Sequence, residues 1–176
     1  MSLAAFPGCC DKPAMTSDVA VRPARPEDEA AMGRLGAMLV EEHHRFDPDR
    51  FIAPLPDLGE RYGQFLVSQI ARPDKIVLVA ERQGAAVGYA YGGAEGSDYM
   101  VLRGPAGEIY DVVVDPDHRR QGIGMALLEA MVEALGALGV PRAVLFTADR
   151  NHAAQAMFDR AGFRRTMIEM TRELGG

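Results

Sequence analysis

The chain has 176 residues, 48% of them hydrophobic and 25% charged, and its formal net charge is −6. This length suits one compact core rather than two domains. The acidic balance disfavours a nucleic-acid-binding surface, and no apolar stretch of the sequence is long enough to cross a membrane. The cysteines, Cys9 and Cys10, are adjacent, so they predict neither a disulfide framework nor a zinc site.

Residues 1–17 are expected to form a loosely ordered leader, and residues 18–174 a single domain. The leader lacks the basic start and long apolar stretch of a signal peptide. Because no disulfide framework is expected, the reducing cytoplasm is the expected location. Met1 and Met15 are both possible starts of the chain.

The first half of the domain predicts a short strand and two helices. The strand is Val19–Arg22. The first helix spans Pro26–His44, because a proline and three acidic residues suit a first turn and apolar residues recur at helical spacing. Three prolines predict a loop over residues 46–57, and Leu58–Ala71 is predicted to be the second helix.

The second half changes to strand patterns and then alternates. The predicted elements, in order, are strands Ile76–Ala80, Ala86–Tyr91 and Ile109–Val114, helix Gly122–Leu138, strand Arg142–Thr147, a helix from Asn151 to Gly162, and strand Phe163–Met170. This order predicts an α/β fold of the α+β type. A mixed central sheet of about six to seven strands would be flanked by about four helices.

The stretch most informative about function joins a strand to the longest apolar helix. After Val114 comes a basic, glycine-containing turn, and Gly122 opens the helix. Free N–H groups in the first turn of a helix, approached closely through glycines, can bind a pyrophosphate. The alternative is that Gly122 and Gly124 merely shape a tight turn. The pattern matches neither a Walker loop nor the dinucleotide fingerprint.

Two segments carry a resemblance to a known family. Arg119-Arg120-Gln121-Gly122-Ile123-Gly124 resembles the (Arg/Gln)-x-x-Gly-x-(Gly/Ala) signature of the GNAT superfamily of acetyltransferases, and residues 151–163 resemble its Asn…Ala…Tyr…Gly-Phe segment. The resemblance implies an N-acetyltransferase. It would move an acetyl group from acetyl-CoA to a primary amine of a small molecule or peptide, by direct attack in a ternary complex. Acetyl-CoA and the amine are the implied partners, with a possible homodimer and no metal, nucleic acid or membrane.

The resemblance also implies a coenzyme A site made by strand, turn and helix. The main chain of residues 112–114 would pair with the pantetheine arm, and the N–H groups of residues 121–125 would hold the pyrophosphate. The N–H of Val113 would donate to the oxyanion. The predicted cofactor-binding residues are Val112, Val113, Val114, Arg119, Arg120, Gln121, Gly122, Ile123, Gly124, Met125, Asn151 and Phe158.

Asn151 and Phe158 each have a structural alternative. Asn151 lies where the family places a polar contact to the cofactor, and it is equally suited to cap a helix. Phe158 stands where many members have a tyrosine that protonates the departing CoA thiolate. Phenylalanine cannot do this, so core packing is its expected role.

The candidate catalytic residues lie on strand Ile109–Val114 or just before it. Glu108 would take the proton of the amine, since strand periodicity puts it on one face with Tyr110, Val112 and Val114. Tyr110 is the candidate substitute for the missing acid. The alternatives are a solvated strand start for Glu108 and an ordinary sheet aromatic for Tyr110. Asp111 is expected on the opposite face.

Two further points stay open. Adjacent His43 and His44 point in different directions on a helix, so a solvated helix end is favoured over a metal site. The missing tyrosine at Phe158 leaves a CoA-binding sensor with little turnover as the alternative function. An O-acetyltransferase, or an enzyme that uses another acyl-CoA, is a third. The acceptor would be selected by residues 40–65 and 92–107.

Overall fold

The computed structural model describes residues 18–174, so the expected leader lies outside the described residues. The described strands are β1 Val19–Pro23, β2 Lys75–Arg82, β3 Ala85–Glu95, β4 Ala106–Val114 and β5 Ala143–Leu145. The described α-helices are α1 Glu29–Phe46, α2 Leu58–Ile70, α3 Ile123–Ala137 and α4 His152–Arg160. Short 3₁₀ turns at Pro26–Asp28 and Pro116–His118 precede α1 and follow β4.

The strands form one mixed sheet in the order β1-β2-β3-β4-β5. Neighbouring strands are antiparallel except for β4 and β5, which are parallel. This confirms the predicted fold class, although the described sheet has five strands rather than six to seven. The predicted strand Phe163–Met170 carries no strand pairing in the described residues. A strand needs a ladder partner, and β5, at three residues, offers almost none.

Each face of the sheet carries its own apolar cluster. On one face, α1 and α2 cover a cluster that includes Met32, Leu66 and Tyr89. On the other face, α3 buries Leu127 and Met131 against the sheet, and α4 packs beside them. We call these the α1/α2 face and the α3 face. The predicted apolar stripes of the helices are therefore the surfaces that close the core.

A glycine contact sets the spacing of α1 and α2. A Cβ atom at Gly33 would overlap the carbonyl oxygen of Gly59 in α2. The two helices thus approach each other closely enough to exclude any side chain at this point. The contact fixes where the end of α1 and the loop after it lie above the sheet.

A β-bulge in β4 breaks the strand periodicity. Asp111 pairs with Tyr91, and Ile109 pairs with Gly92, so Tyr110 is the extra residue. Tyr110 consequently packs on the α1/α2 face, while Val112 and Val114 pack on the α3 face. The prediction that Tyr110, Val112 and Val114 share one face is therefore wrong, because a bulge inserts one residue into the alternation.

Candidate active site

The main cleft opens where β4 and β5 separate. Their pairing runs from Gly107 opposite Ala143 to Ile109 opposite Leu145, and then stops. The strands diverge beyond it, leaving a cleft of about 270 Å³. Its lining comes from residues 109–112 of β4, residues 145–147 at the end of β5 and just after it, Leu39, Val40 and His43 of α1, residues 51–52 of the following loop, and Asn151, Ala154 and Phe158 around α4.

The edge of β4 that faces this cleft keeps free backbone groups. Asp115 N–H donates to Val87 O on β3 at 2.9 Å. Because successive backbone groups in a strand point in opposite directions, the N–H of Val113 also points to β3, while those of Val112 and Val114 point toward the cleft. The oxyanion role expected for the Val113 N–H does not fit this direction. Its two neighbours are placed for it.

The turn after β4 has the geometry of an anion site. Arg120 and Gly122 have φ of 60° and 82°, which turns the chain sharply into α3. The first backbone bond of the helix is from Ala126 N–H to Gly122 O at 3.0 Å. The N–H groups of Ile123, Gly124 and Met125 therefore have no acceptor within their own helix.

The two arginines of the turn differ in their partners. Arg119 makes a bidentate pair with Glu42 of α1, at 3.0 and 2.9 Å, and it also donates to Val114 O. Arg120 makes no hydrogen bond or ion pair with another described residue. Gln121 accepts from Arg82 at 2.7 Å. Arg120 is thus the arginine whose charge is not already matched by a neighbouring carboxylate.

Asn151 and Phe158 both border the main cleft. Asn151 accepts a hydrogen bond from Ala154 N–H at 3.1 Å, which confirms the helix-cap alternative and leaves its amide nitrogen uncommitted. Phe158 packs on Phe163 with ring centroids 6.1 Å apart and joins the α3-face core. Phe158 therefore has the packing role expected of it while also forming part of the cleft wall.

Glu108 lies outside the main cleft. Arg103 donates to its carboxylate at 3.1 Å, and both residues line a second pocket under the β3–β4 connection. Tyr110 borders both pockets. Its hydroxyl donates to Glu95 and accepts from Lys75 at 3.1 Å. Burial and the bond to Glu95 raise the pKa of Tyr110, so its proton is firmly held.

Sequence reasoning missed Asp111 as a site residue. Its side chain is buried in the floor of the main cleft and accepts hydrogen bonds from Tyr62 at 2.7 Å and Tyr89 at 2.9 Å. Burial raises the pKa of Asp111, and the two hydroxyls offset part of that rise. Strand alternation correctly placed Asp111 opposite Val112 and Val114, but the site was expected on the face of those valines. Only a sign of the bulge could have shown that Tyr110 shares the face of Asp111.

His43 was also missed. It is half-buried in the last turn of α1 and lines the main cleft. Nothing in the sequence indicates that this end of α1 reaches the sheet. Its position depends on the contact between Gly33 and α2, which forms only in the folded protein. Within residues 18–174, no group of three or more His, Cys, Asp or Glu side chains is arranged to hold a metal ion. No helix in that range is long and apolar enough to cross a membrane.

Comparisons with known proteins agree with this geometry. The model of the acetyltransferase (GNAT) family matches residues 37–163. A mycothiol acetyltransferase from Thermobispora bispora is 30% identical over 163 residues, which are 90% of this chain and 50% of that protein. A [ribosomal protein bS18]-alanine N-acetyltransferase from Escherichia coli is 38% identical over 60 residues, or 34% of this chain and 40% of that protein. The matched part spans half or less of each relative.

Solved structures share the fold at low identity. The BH1408 protein from Bacillus halodurans superposes with a TM-score of 0.76 at 22% identity, covering 88% of this chain and 99% of that one. A predicted acetyltransferase from Clostridium acetobutylicum, solved with acetyl-CoA, gives a TM-score of 0.67 at 16% identity, covering 89% and 96%. At such identities the likeness establishes the fold alone.

Proposed function

Because this chain belongs to the acetyltransferase (GNAT) family, we propose that it transfers the acetyl group of acetyl-CoA to a primary amine of a small molecule or peptide. The amine attacks the thioester directly in a ternary complex. One observation carries the proposal: β4 runs from an open sheet edge in the main cleft straight into the exposed first turn of α3. A thioester arm and a pyrophosphate need these two surfaces in this order.

Each part of the cofactor has a candidate partner. The backbone groups of Val112 and Val114 face the cleft and pair with the pantetheine arm. The first-turn N–H groups of α3 and the exposed turn before it take the pyrophosphate, where the positive helix end favours an anion. Arg120 adds a positive charge there. Asn151, with its free amide nitrogen, and Phe158 close the cleft from the α4 side.

A single substitution tests cofactor binding. Gly124→Asp puts a carboxylate in the first turn of α3, where it repels phosphates but suits the helix dipole, so the protein should stay folded. Its Cβ would lie 3.1 Å from the flexible end of Met157 and 3.7 Å, an ordinary contact distance, from Val114 Cγ2. Calorimetry should show acetyl-CoA affinity falling at least about tenfold, which is ~1.4 kcal/mol. Gly124→Ala is the matched control, and equal affinities in the two variants would contradict the assignment.

One observation favours a second candidate function, a CoA-binding module with little turnover. Phe158 supplies no proton to the departing thiolate, as a CoA-binding module with little turnover would allow. A free thiol has a pKa of about 8.5, so the thiolate can leave without an acid at neutral pH. We therefore expect Phe158→Tyr to change turnover only a few-fold. A folded variant that gains about a hundredfold, the scale of a general acid, would favour the module instead.

Glu108 and Tyr110 remain our sequence-based candidates for proton transfer. Tyr110 borders the main cleft, which supports a role near the thioester. The carboxylate of Glu108 is held by Arg103 in the neighbouring pocket, so its part requires a relay water. Tyr110→Phe should slow transfer without weakening acetyl-CoA binding if this hydroxyl is the donor.

We also propose that the protein forms a homodimer. Met167, Ile168 and Met170 are exposed apolar side chains in the segment after α4. A second copy that pairs with this segment would cover them. Light scattering should give twice the mass of the chain, and Ile168→Lys should give a monomer. A wild-type monomer at micromolar concentration would contradict the dimer.

A further inference from the structure

The main cleft brings together a carboxylate and an imidazole from different elements. Asp111 follows the bulge residue Tyr110 in β4, and His43 lies in the last turn of α1. Both side chains line the same cleft. Neither residue has a role in the cofactor site described above.

Asp111 is a buried carboxylate that forms no ion pair with a lysine or arginine within residues 18–174. Both tyrosine hydroxyls donate to Oδ2, and Oδ1 accepts no hydrogen bond within residues 18–174. This oxygen is not fully enclosed by the protein, so it remains accessible from the cleft. A buried carboxylate is normally matched by a positive charge. The open side of Asp111 therefore suits a cationic ligand that enters through the cleft.

His43 is held in one orientation. Its Nδ1 lies 2.9 Å from Leu39 O, and a carbonyl oxygen can only accept, so Nδ1 carries a hydrogen. The rings of Phe46 and Phe51 contact the imidazole edge-on, with centroids 5.9 and 5.1 Å away. In the neutral ring Nε2 is then the unprotonated nitrogen. A fixed imidazole with a free Nε2 in a cleft is suited to accept a proton.

We propose that Asp111 and His43 form the acceptor subsite, in which Asp111 binds a primary alkylammonium ion and His43 takes its proton. This rests on the proposed acetyl transfer. Leu39, Val40, Phe51 and Ile52 line the same cleft, so the amine carries an apolar group next to its nitrogen-bearing carbon. A carboxylate floor disfavours acceptors with an anionic group beside the amine.

The proton balance of the step is simple. R–NH₃⁺ gives one proton to Nε2 of His43, and the freed lone pair forms the N–C bond to the thioester carbonyl carbon. The tetrahedral intermediate collapses with cleavage of the C–S bond. The second proton leaves the nitrogen and ends on the CoA thiolate, which gives R–NH–COCH₃ and CoA–SH. His43 then returns its proton to solvent.

Two probes of similar size separate proton removal from other effects. 2-Phenylethylamine is an ammonium ion at neutral pH, whereas O-benzylhydroxylamine is already neutral there and needs no base before attack. His43→Gln should lower kcat for 2-phenylethylamine about a hundredfold and leave O-benzylhydroxylamine within a few-fold, after subtraction of the uncatalysed rate. Equal losses with both probes, or no loss, would overturn the role of His43.

His44→Gln is the matched control, since His44 is the next residue of α1 and bonds Phe51 O rather than lining the cleft. It should leave both rates unchanged. Glu108→Gln tests the rival base. If Glu108→Gln shows the ammonium-selective loss and His43→Gln does not, the proton goes to Glu108 and the proposal is wrong.

Asp111→Asn tests the binding half. It keeps an oxygen for the tyrosines but removes the charge, so KM for 2-phenylethylamine should rise at least about tenfold while KM for O-benzylhydroxylamine changes little. Equal effects on the two probes would overturn cation recognition. Wild-type protein that binds acetyl-CoA by calorimetry but acetylates neither probe would overturn the subsite alone. Absence of acetyl-CoA binding would instead overturn the proposed function.

Discussion

Two buried aspartates in different regions have the same exposure and opposite surroundings. Asp28, at the start of α1, and Asp111, in the floor of the main cleft, are each 8% exposed. Asp28 accepts two hydrogen bonds from the Arg22 guanidinium, at 2.8 and 2.9 Å, and one from Arg25 N–H. Asp111 receives only neutral tyrosine hydroxyls. The first carboxylate is fully matched within the fold, and the second is left for something else to match.

The pKa directions express the same difference. The bonds from Arg22 lower the pKa of Asp28, despite its burial. Burial raises the pKa of Asp111, despite two hydrogen bonds. A carboxylate with its own cation stabilises the protein, whereas one without a cation is costly to keep ionised. Burial alone therefore does not distinguish a structural carboxylate from a binding group, but the charge of its partners does.

The largest expected effect is on stability at Asp28. Asp28→Asn removes one charge of a buried pair and leaves the Arg22 guanidinium only partly matched by Glu81, so it should lower the free energy of unfolding by about 3 kcal/mol. Urea unfolding at neutral pH measures it. Glu27→Gln, an exposed change in the same turn, should stay within about 0.5 kcal/mol. A comparably small loss at Asp28 would break the comparison.

The identical change at Asp111 should be much milder. Asp111→Asn keeps an acceptor for Tyr62 and Tyr89 and removes the cost of a buried charge, so unfolding should change by less than about 1 kcal/mol. The same urea experiment applies, without ligand. A loss as large as that at Asp28 would mean that a positive group, such as a protonated His43, already matches Asp111 in the folded protein.

The smallest effect is the pH dependence, and its sign differs between the two sites. Asp28 has a lowered folded-state pKa, so its contribution is present above the unfolded value of about 3.9 and is lost as pH falls through the folded pKa. Asp111 has a raised pKa, so ionisation destabilises the fold at neutral pH, and this penalty fades as pH falls through that raised value.

The free energy of unfolding of each variant is compared with that of the wild type. As pH falls from neutrality, the difference for Asp111→Asn should begin to change at a higher pH than the difference for Asp28→Asn. Unfolding free energies at several pH values between neutrality and about pH 2 measure both, because the change at Asp28 falls below the ordinary carboxylate pKa of about 3.9. Two differences that change together on acidification would contradict the opposite shifts.

The strand, turn and helix that we propose for cofactor binding were predictable because their backbone geometry requires particular residues in the sequence. A left-handed φ at the start of α3 favours glycine, and Gly122 stands there. An amphipathic helix and a preceding strand have periodic patterns, so α3 and β4 were placed correctly. The partly buried asparagine cap at Asn151 was predicted for the same reason.

The acceptor side was not predictable, since it depends on tertiary placement. One extra residue at Tyr110 puts this side chain on the same face as Asp111, the face that α1 and α2 cover, and alternation gave no sign of it. The height of His43 above the sheet depends on a helix–helix contact 10 residues away along α1, at Gly33. The strand expected over Phe163–Met170 has the right composition but no edge long enough to pair with.

Because β5 pairs with β4 over only three residues, the two strands are joined at one end and separate at the other. The two strands are paired as far as Ile109 and Leu145, and within residues 18–174 no backbone pairing joins the rest of β4 to the segment that leads into α4. A ligand bound in that opening would hold β4 and the segment before α4 together. When the ligand leaves, residues 143–160 should open before the rest of the protein. Amide hydrogen exchange should then become faster in these residues alone. The cofactor would then be a component of the architecture as well as a reactant.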